Sequence, residues 1–286
     1  MRFRFLRICT NYLFVRIKHD MDAQWRLLKT GKHDAATNMA IDEVILLRQE
    51  DYPQPTLRLY DWSQPAFSFG YFQMISAEID VKKCGSQGVE LVRRMTGGGI
   101  VVHGWDVTYS IIVPHGSGVI PSDISASYCW IANRLLQGFH RIGVPASLQG
   151  RKPGTSEAGP NTCLANPAEH DVLLKGKKIA GVSQRRNRIG AVYQGYIALD
   201  MPHPEILRLT SKLPNYEVTI AQTSSAINSE SLAPKKREQV EKAVAEGFTE
   251  ASNVRCVVSR LSADEIEAAE SLARSKYSGV EWTHRR

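Results

Sequence analysis

No run of eighteen or more uninterrupted apolar residues occurs in this 286-residue chain, so the sequence places no membrane-spanning helix. Its five cysteines, at 9, 84, 129, 163 and 256, are scattered and form no CxxC pair. That spacing excludes a recognisable zinc ligand set and a disulfide framework, and it predicts reduced thiols in a cytoplasmic setting. The phosphate-loop pattern GxxxxGK[ST] is absent, as is any pairing of carboxylates of the kind glycoside hydrolysis uses. The chain has no internal repeat and no low-complexity segment.

Hydrophobic residues make up 43% of the chain and charged ones 23%, the balance of a globular protein with a substantial core. The formal charge of +7 is uneven. Residues 1–20 carry Arg2, Arg4, Arg7, Arg16 and Lys18 against Asp20 alone, so the remainder is only mildly basic. Basicity concentrated in a tail is a poor argument for nucleic acid, whereas a mildly basic body suits acidic protein partners. We expect residues 1–20 to form an extension, with Met21 a candidate start, and residues 21–286 to form one domain.

Apolar spacing predicts a helix over 34–51, where Ala36, Met39, Ala40, Val44 and Leu47 recur at helical intervals behind a capping Asp34 or Thr37. Strands are predicted at 56–62, 66–72, 89–95, 100–103 and 107–114, the last two as a pair or one interrupted strand. A helix follows at 122–142. Residues 150–162, rich in Gly and Pro, read as loop. Three strands then span HDVLLK, KKIAGVSQRR and AVYQGYIALD, separated by turns at Gly176 and at 187–190. Helices at 204–212 and 234–249, a strand at 253–260 and a helix at 262–276 complete the chain. The fold class this implies is α+β, with a large, mostly antiparallel mixed sheet and flanking helices.

The densest chemical signal is RRMTGGGIVVH, residues 93–103. Gly97, Gly98 and Gly99 read either as a tight turn or as backbone that must approach a phosphate or an oxyanion closely. Arg93 and Arg94 alternate along a strand. They read as two surface charges, or as one solvated cation and one that reaches an anion. A second signal is NTCLANPAEHDVLLKGKKIAG, residues 161–181. Cys163 reads as an inert filler or as a nucleophile; a lysine nearby would favour its thiolate. Lys178 reads as a solvated hairpin tip or as that lysine. It opens a strand whose Ala180, Gly181 and Ser183 are small enough for a ligand to lie against. His103 and His170 are each available as a base, and spacing alone assigns neither.

Five segments occurring in order, NMAIDE, TLRLYDWSQPAFSFGYFQ, RRMTGGGIVVHGWDVTYS, GKKIAGVSQRR and KYSGVEW, resemble the lipoate–protein ligase A and octanoyltransferase group of the biotin/lipoate ligase superfamily. The resemblance spans about 34–282. A cysteine in the loop before GKKIAG is similar to that of the cysteine-dependent, Gram-positive-type octanoyltransferases. This likeness implies Cys163 and Lys178 as catalytic residues. It implies Arg94, Gly97, Gly98, Gly99, His103, Gly181, Gln194 and Gly195 as acyl- or substrate-binding residues, with no metal and no cofactor. The implied donor is octanoyl-acyl carrier protein. The implied acceptor is a lipoyl-carrier protein, a glycine cleavage H protein or a dehydrogenase E2 lipoyl domain, with neither nucleic acid nor membrane as partner. The acyl slot is expected near Val101, Val102 and Ile179. Three other activities fit the same resemblance: an ATP- and Mg-dependent lipoate ligase, an octanoyl amidotransferase acting between lipoyl-carrier proteins, and a non-catalytic carrier-binding module. The chain departs from the group's usual pattern with Gly104 after His103 where an Asp is common, with Gln194 where a His often precedes the glycine, and with LANPAEHDV after Cys163.

Overall fold

The computed structural model describes residues 24–150, 168–209, 216–230, 233–250 and 255–285. In chain order the elements are β1 (Gln24–His33), α1 (Ala35–Leu47), β2 (Thr56–Trp62), β3 (Ala66–Phe69), α2 (Ile75–Glu78), α3 (Val81–Ser86), β4 (Glu90–Arg93), β5 (Val101–His103), β6 (Asp106–Pro114) and α4 (Ile124–Arg141). There follow β7 (Ser147–Leu148), β8 (Val172–Leu174), β9 (Lys177–Arg186), β10 (Gly190–Ala198), α5 (Pro204–Leu209), α6 (Tyr216–Thr223), α7 (Ile227–Glu230), α8 (Arg237–Glu250), β11 (Arg255–Ser259) and α9 (Ala263–Leu272). A π-helical turn (Ala273–Tyr277) and α10 (Val280–Thr283) end the described chain.

Eight strands form one sheet in the order β11-β1-β2-β6-β10-β9-β8-β7. The β11–β1 and β1–β2 pairs are parallel and the rest antiparallel, so the sheet is mixed and mostly antiparallel. A second sheet of three strands, β4-β3-β5, stands apart. The segments 100–103 and 107–114 are therefore neither a pair nor one strand. β5 pairs β3 in the small sheet, and β6 lies between β2 and β10 in the large one. The chain crosses from one sheet to the other at Gly104 (φ +115°) and Trp105.

The large sheet is covered on both faces. On one, Trp25, Leu57, Tyr109 and Tyr193 pack with Ile131, Leu135 and Phe139 of α4 and with Val240, Val244 and Phe248 of α8. On the other, Leu28, Tyr60, Trp62 and Ile112 pack with Met39, Ile41 and Ile45 of α1 and with Ala269 of α9. Asp34 and Asp123 cap α1 and α4 by accepting from Thr37 N and Ala126 N, and Ser262 with Glu265 forms a reciprocal capping box on α9.

Sequence periodicity misses β1. Arg26, Lys29 and Lys32 break its apolar run, yet it sits between β11 and β2 with Trp25 and Leu28 fully buried. The cations are accommodated at the margins: Arg26 pairs Glu265 of α9 at 2.7 Å, and Lys29 pairs Glu241 of α8 at 3.1 Å. The short helices α2, α3, α6 and α7 also leave no signal in the sequence, each having too few turns to show a period. Among the described residues no helix is long and apolar enough to cross a membrane.

Candidate active site

β-Sheet register lays a floor. Gly181 on β9 stands opposite Tyr196 on β10, Tyr196 opposite Thr108 on β6, and Thr108 opposite Tyr60 on β2. Directly opposed residues point to one face, so these four make a row across four strands. At about 4.8 Å per strand the row is roughly 14 Å long. All four line one cavity of about 240 Å³. Met39 and Trp62 contribute to its walls, and Ser68, Arg94, Gly97, Gly98, Val101 and His103 bring in the small sheet and the glycine run. Ala168, Glu169, His170, Asp171 and Lys178 complete the wall on the β8–β9 side.

The cavity thus gathers Arg94, Gly97, Gly98, His103, Lys178, Gly181, Gln194 and Gly195 from residues that span about a third of the chain. Gly99 does not line it but is tied to it, its carbonyl accepting from Arg94 Nη2 at 2.9 Å. Cys163 lies outside the described residues. Of the three positions expected along an acyl slot, Val101 lines the cavity. Val102 packs in the hydrophobic cluster beneath the small sheet, and Ile179 belongs to the core on the opposite face of the large sheet.

Lys178 is not a solvated hairpin tip. It is 3% exposed, and its Nζ lies 2.7 Å from Asp171 Oδ2. Asp171 also accepts from Ala168 N at 2.6 Å, which ties the turn 168–171 to the same carboxylate. Burial pushes the Asp171 carboxyl up, and the Lys178 ammonium offsets only part of that rise. Gly181 leaves the room the pair needs: a Cβ there would fall 2.8 Å from Lys178 Cε and Nζ and 3.0 Å from Asp171 Oδ1. The sequence signal for Asp171 was present, as an acid opening the strand DVLLK opposite KKIAG, but only the hairpin pairing of β8 with β9 brings it to Lys178.

Neither arginine of the RR pair is a surface charge. Arg93 has no exposed surface and donates to the carbonyls of Gly70, Tyr71, Gln73, Trp282 and Thr283, stitching α10 to the β3–α2 connection. Arg94, 4% exposed, turns to the cavity side and donates to Ser68 O, Ser68 Oγ, Gly97 O and Gly99 O. Both satisfy their donors on backbone carbonyls, the condition for burying a guanidinium. The glycine run is pressed against β3's end so closely that a Cβ on Gly70 would fall 1.8 Å from Gly98 O. Gly98 itself has φ +87°, the left-handed region open to glycine.

His103 stacks on Trp62 with ring centroids 4.0 Å apart. Its Nδ1 lies 2.9 Å from Asp106 Oδ2 and its Nε2 2.7 Å from Ser68 Oγ. The carboxylate missing at position 104 is therefore supplied two residues later. Burial pushes the Asp106 carboxyl up, but His103 and the donors from Thr108 and Gly104 N more than offset this and hold it below the usual aspartate value.

Gln194 bridges the cavity floor to the core. Its Nε2 donates to Asp42 Oδ2 at 2.8 Å, and its Oε1 accepts from Thr96 Oγ1 at 2.9 Å. Asp42 in turn holds Arg58 at 2.7 Å, both with no exposed side chain, and accepts from Ser110 Oγ. Gly195 makes space for the Tyr109 ring, which a Cβ would meet at 2.3 Å. Among the described residues no cluster of three His, Cys, Asp or Glu groups is placed to hold a metal ion.

The family model for the lipoyl protein ligase A/B catalytic domain matches residues 34–249. An octanoyltransferase LipM of Kyrpidia tusciae is 36% identical over 277 residues, covering 92% of this chain and 99% of its own length. An octanoyltransferase LipM of Brevibacillus brevis is 33% identical over 275 residues, with 92% and 99% covered. Among solved structures, a lipoate–protein ligase A bound with ATP superposes with a TM-score of 0.75 at 21% identity, covering 91% of this chain and 98% of that one. A lipoate protein ligase described as putative, from T. acidophilum with bound lipoic acid, superposes at 0.73 and 20% identity, with 92% and 100% covered. The two ligase structures establish a shared fold. The sequence matches go further, and the chain belongs to the lipoyl protein ligase A/B catalytic-domain family.

Proposed function

We propose that this protein is an octanoyltransferase that moves an octanoyl group from acyl carrier protein to a lysine of a lipoyl-carrier protein, through a thioester on Cys163. The observation that carries the reading is the match to octanoyltransferases LipM over 92% of this chain and 99% of theirs. The cavity supports it in chemistry and in size. An extended octanoyl chain is roughly 9 Å long from C–C bonds of about 1.5 Å. The floor row from Gly181 to Tyr60 is long enough to take it, with Trp62, Met39 and Val101 offering apolar contact. Burying its methylenes at ~0.8 kcal/mol each supplies several kcal/mol of binding.

In this reading the Cys163 thiolate attacks the thioester carbonyl of the donor, the carrier's thiol leaves, and octanoyl stays on sulfur. The acceptor amine then attacks the new thioester, the amide forms and the Cys163 thiolate is released. Lys178, held in the cavity wall by Asp171, provides the cation that favours the thiolate and exchanges protons with the leaving and attacking groups. The glycine run 97–99 is the candidate for steadying the oxyanion. This chemistry calls for no cofactor. ATP and Mg would be needed only by a ligase, in which Cys163 would be incidental. A mildly basic body favours encounter with acidic carrier proteins. A cytoplasmic location accords with the reduced thiols the reading requires.

The test is intact-mass measurement after incubation with octanoyl-acyl carrier protein in the absence of ATP. The expected result is an octanoyl adduct on the native chain that is lost in Cys163→Ser. Acylation of a lipoyl domain from free acid that requires ATP and survives the same substitution would refute it in favour of the ligase.

A further inference from the structure

The cavity wall holds a chain of hydrogen bonds that the transfer mechanism leaves unused. Asp106 Oδ2 lies 2.9 Å from His103 Nδ1, and His103 Nε2 lies 2.7 Å from Ser68 Oγ. Ser68 Oγ accepts from Arg94 Nη1 at 2.7 Å, and Arg94 Nη2 donates to Gly97 O at 3.1 Å and Gly99 O at 2.9 Å. All four side chains are buried, at 0% to 4% exposure.

Proton counting gives this chain one direction. Arg94 has only donors, so its contact occupies a lone pair of Ser68 Oγ. The Asp106 carboxylate can only accept, so His103 Nδ1 is the donor there, and in the neutral ring Nε2 is left as the acceptor for the one proton of Ser68. A neutral imidazole that accepts at Nε2 carries its proton on Nδ1 and donates it to Asp106. Thr108 Oγ1 donates to the same carboxylate oxygen at 2.6 Å and Gly104 N to the other at 3.1 Å, so Asp106 has donors on both oxygens. Trp62 fixes the ring plane by stacking, and its own Nε1 donates to Thr108 Oγ1 at 2.7 Å.

The order serine, histidine, aspartate is that of hydrolase triads. Here, however, Ser68 has no exposed surface and its oxygen is already engaged by a guanidinium. Both facts disqualify it as a nucleophile. What the chain does is aim Arg94. The guanidinium is held at Nη1 by Ser68, and its Nη2 grips two carbonyls of the glycine run. Glycine has the largest conformational freedom to lose, so three in a row need an external clamp to keep one geometry.

We propose that His103 is a positioning residue which, through Ser68 and Arg94, locks residues 97–99 in the conformation that acyl transfer uses. The role in catalysis rests on the acyltransferase reading above; the clamp on the loop does not. The lock gives a role to a histidine buried at the cavity wall.

The test uses the full chain with octanoyl-acyl carrier protein as donor and a lipoyl domain as acceptor, and compares Ser68→Ala, His103→Ala and His103→Gln. Glutamine places a carbonyl oxygen near the Nε2 position and can take the Ser68 proton. Ser68→Ala and His103→Ala should lower kcat by about 10- to 100-fold, less than the roughly 100- to 1000-fold of a directly lost oxyanion contact because they act through the loop, with KM for the donor changed less than about threefold. His103→Gln should recover most of the loss. Amide hydrogen exchange of the segment 94–100 should quicken in Ser68→Ala and return toward the native rate in His103→Gln. That second measurement decides the clamp even if the native chain forms no adduct on Cys163, an outcome that would sink the functional reading alone. Unchanged kcat and exchange in Ser68→Ala would overturn the proposal. So would a His103→Gln as impaired as His103→Ala, or covalent labelling of Ser68 by a fluorophosphonate.

Discussion

Replacing Asp171 by asparagine keeps the shape of the side chain and removes its charge. The consequence can be worked out from the pair it makes. Lys178 Nζ and Asp171 Oδ2 are 2.7 Å apart, with 4% and 8% of the respective side chains exposed. At an effective dielectric near 20, opposite unit charges at that separation attract by roughly 6 kcal/mol. Desolvation cancels most of this while the pair is intact. Once the carboxylate is gone, the cost of keeping the ammonium in a buried wall is no longer offset. Breaking a buried pair from one side costs about 3–5 kcal/mol, and the lower end applies because the asparagine oxygen still accepts a hydrogen bond. That is a large part of a typical folding stability of about 5–15 kcal/mol. The partner substitution, Lys178→Met, should cost less. Burial already pushes the Asp171 carboxyl up, so without the ammonium it takes a proton and becomes neutral. The variant then binds more protons folded than unfolded. Its stability must fall as pH rises through the folded carboxyl's titration, with the extra stability present on the acid side. Urea unfolding of both variants between about pH 5 and 8 tests this. An Asp171→Asn variant within ~1 kcal/mol of the native chain would refute the reasoning, as would a Lys178→Met variant whose penalty matches it and is flat with pH.

Gly70→Ala should displace the glycine run, since its Cβ would sit 1.8 Å from the Gly98 carbonyl oxygen, a backbone atom that cannot swing aside. We expect about 1–3 kcal/mol of destabilisation by denaturant unfolding, whereas Gly97→Ala, whose Cβ meets nothing within 4 Å, should leave stability nearly unchanged. Cys84 is buried, and burial pushes its thiol up to about 11. Alkylation of the native protein by iodoacetamide near pH 8 should therefore leave Cys84 unmodified while the same treatment in urea modifies it, as read by peptide mass; rapid native labelling of Cys84 would contradict its placement.

Much of the architecture was legible because long elements write their period into the sequence. α1, α4 and α9 follow helical apolar spacing behind Asp34, Asp123 and Ser262, and the β8–β9–β10 meander shows as strand formers interrupted at Gly176 and at 187–190. The failures share a cause. β1 reads as a basic stretch because its cations are paired by Glu265 and Glu241, more than two hundred residues away along the chain. Local pattern cannot register a partner that distant. Arg93 and Arg94 look like surface charge for the same reason, since the carbonyls that satisfy them come from β3, the β3–α2 connection, the glycine run and α10.

Residue type and order by themselves determined the fold class, the ordered motifs of the family, and the inventory of groups able to do chemistry: a glycine run, an arginine pair, His103, Lys178 and Cys163. Tertiary structure alone decided which of them meet. Asp171 reaches Lys178 through a hairpin, Asp106 reaches His103 across the step between two sheets, and Asp42 reaches Gln194 from a helix 152 positions earlier. The physical reason is that burial makes a charge or hydrogen-bond donor depend on its partners, and partners are chosen by strand register and helix packing rather than by proximity in sequence.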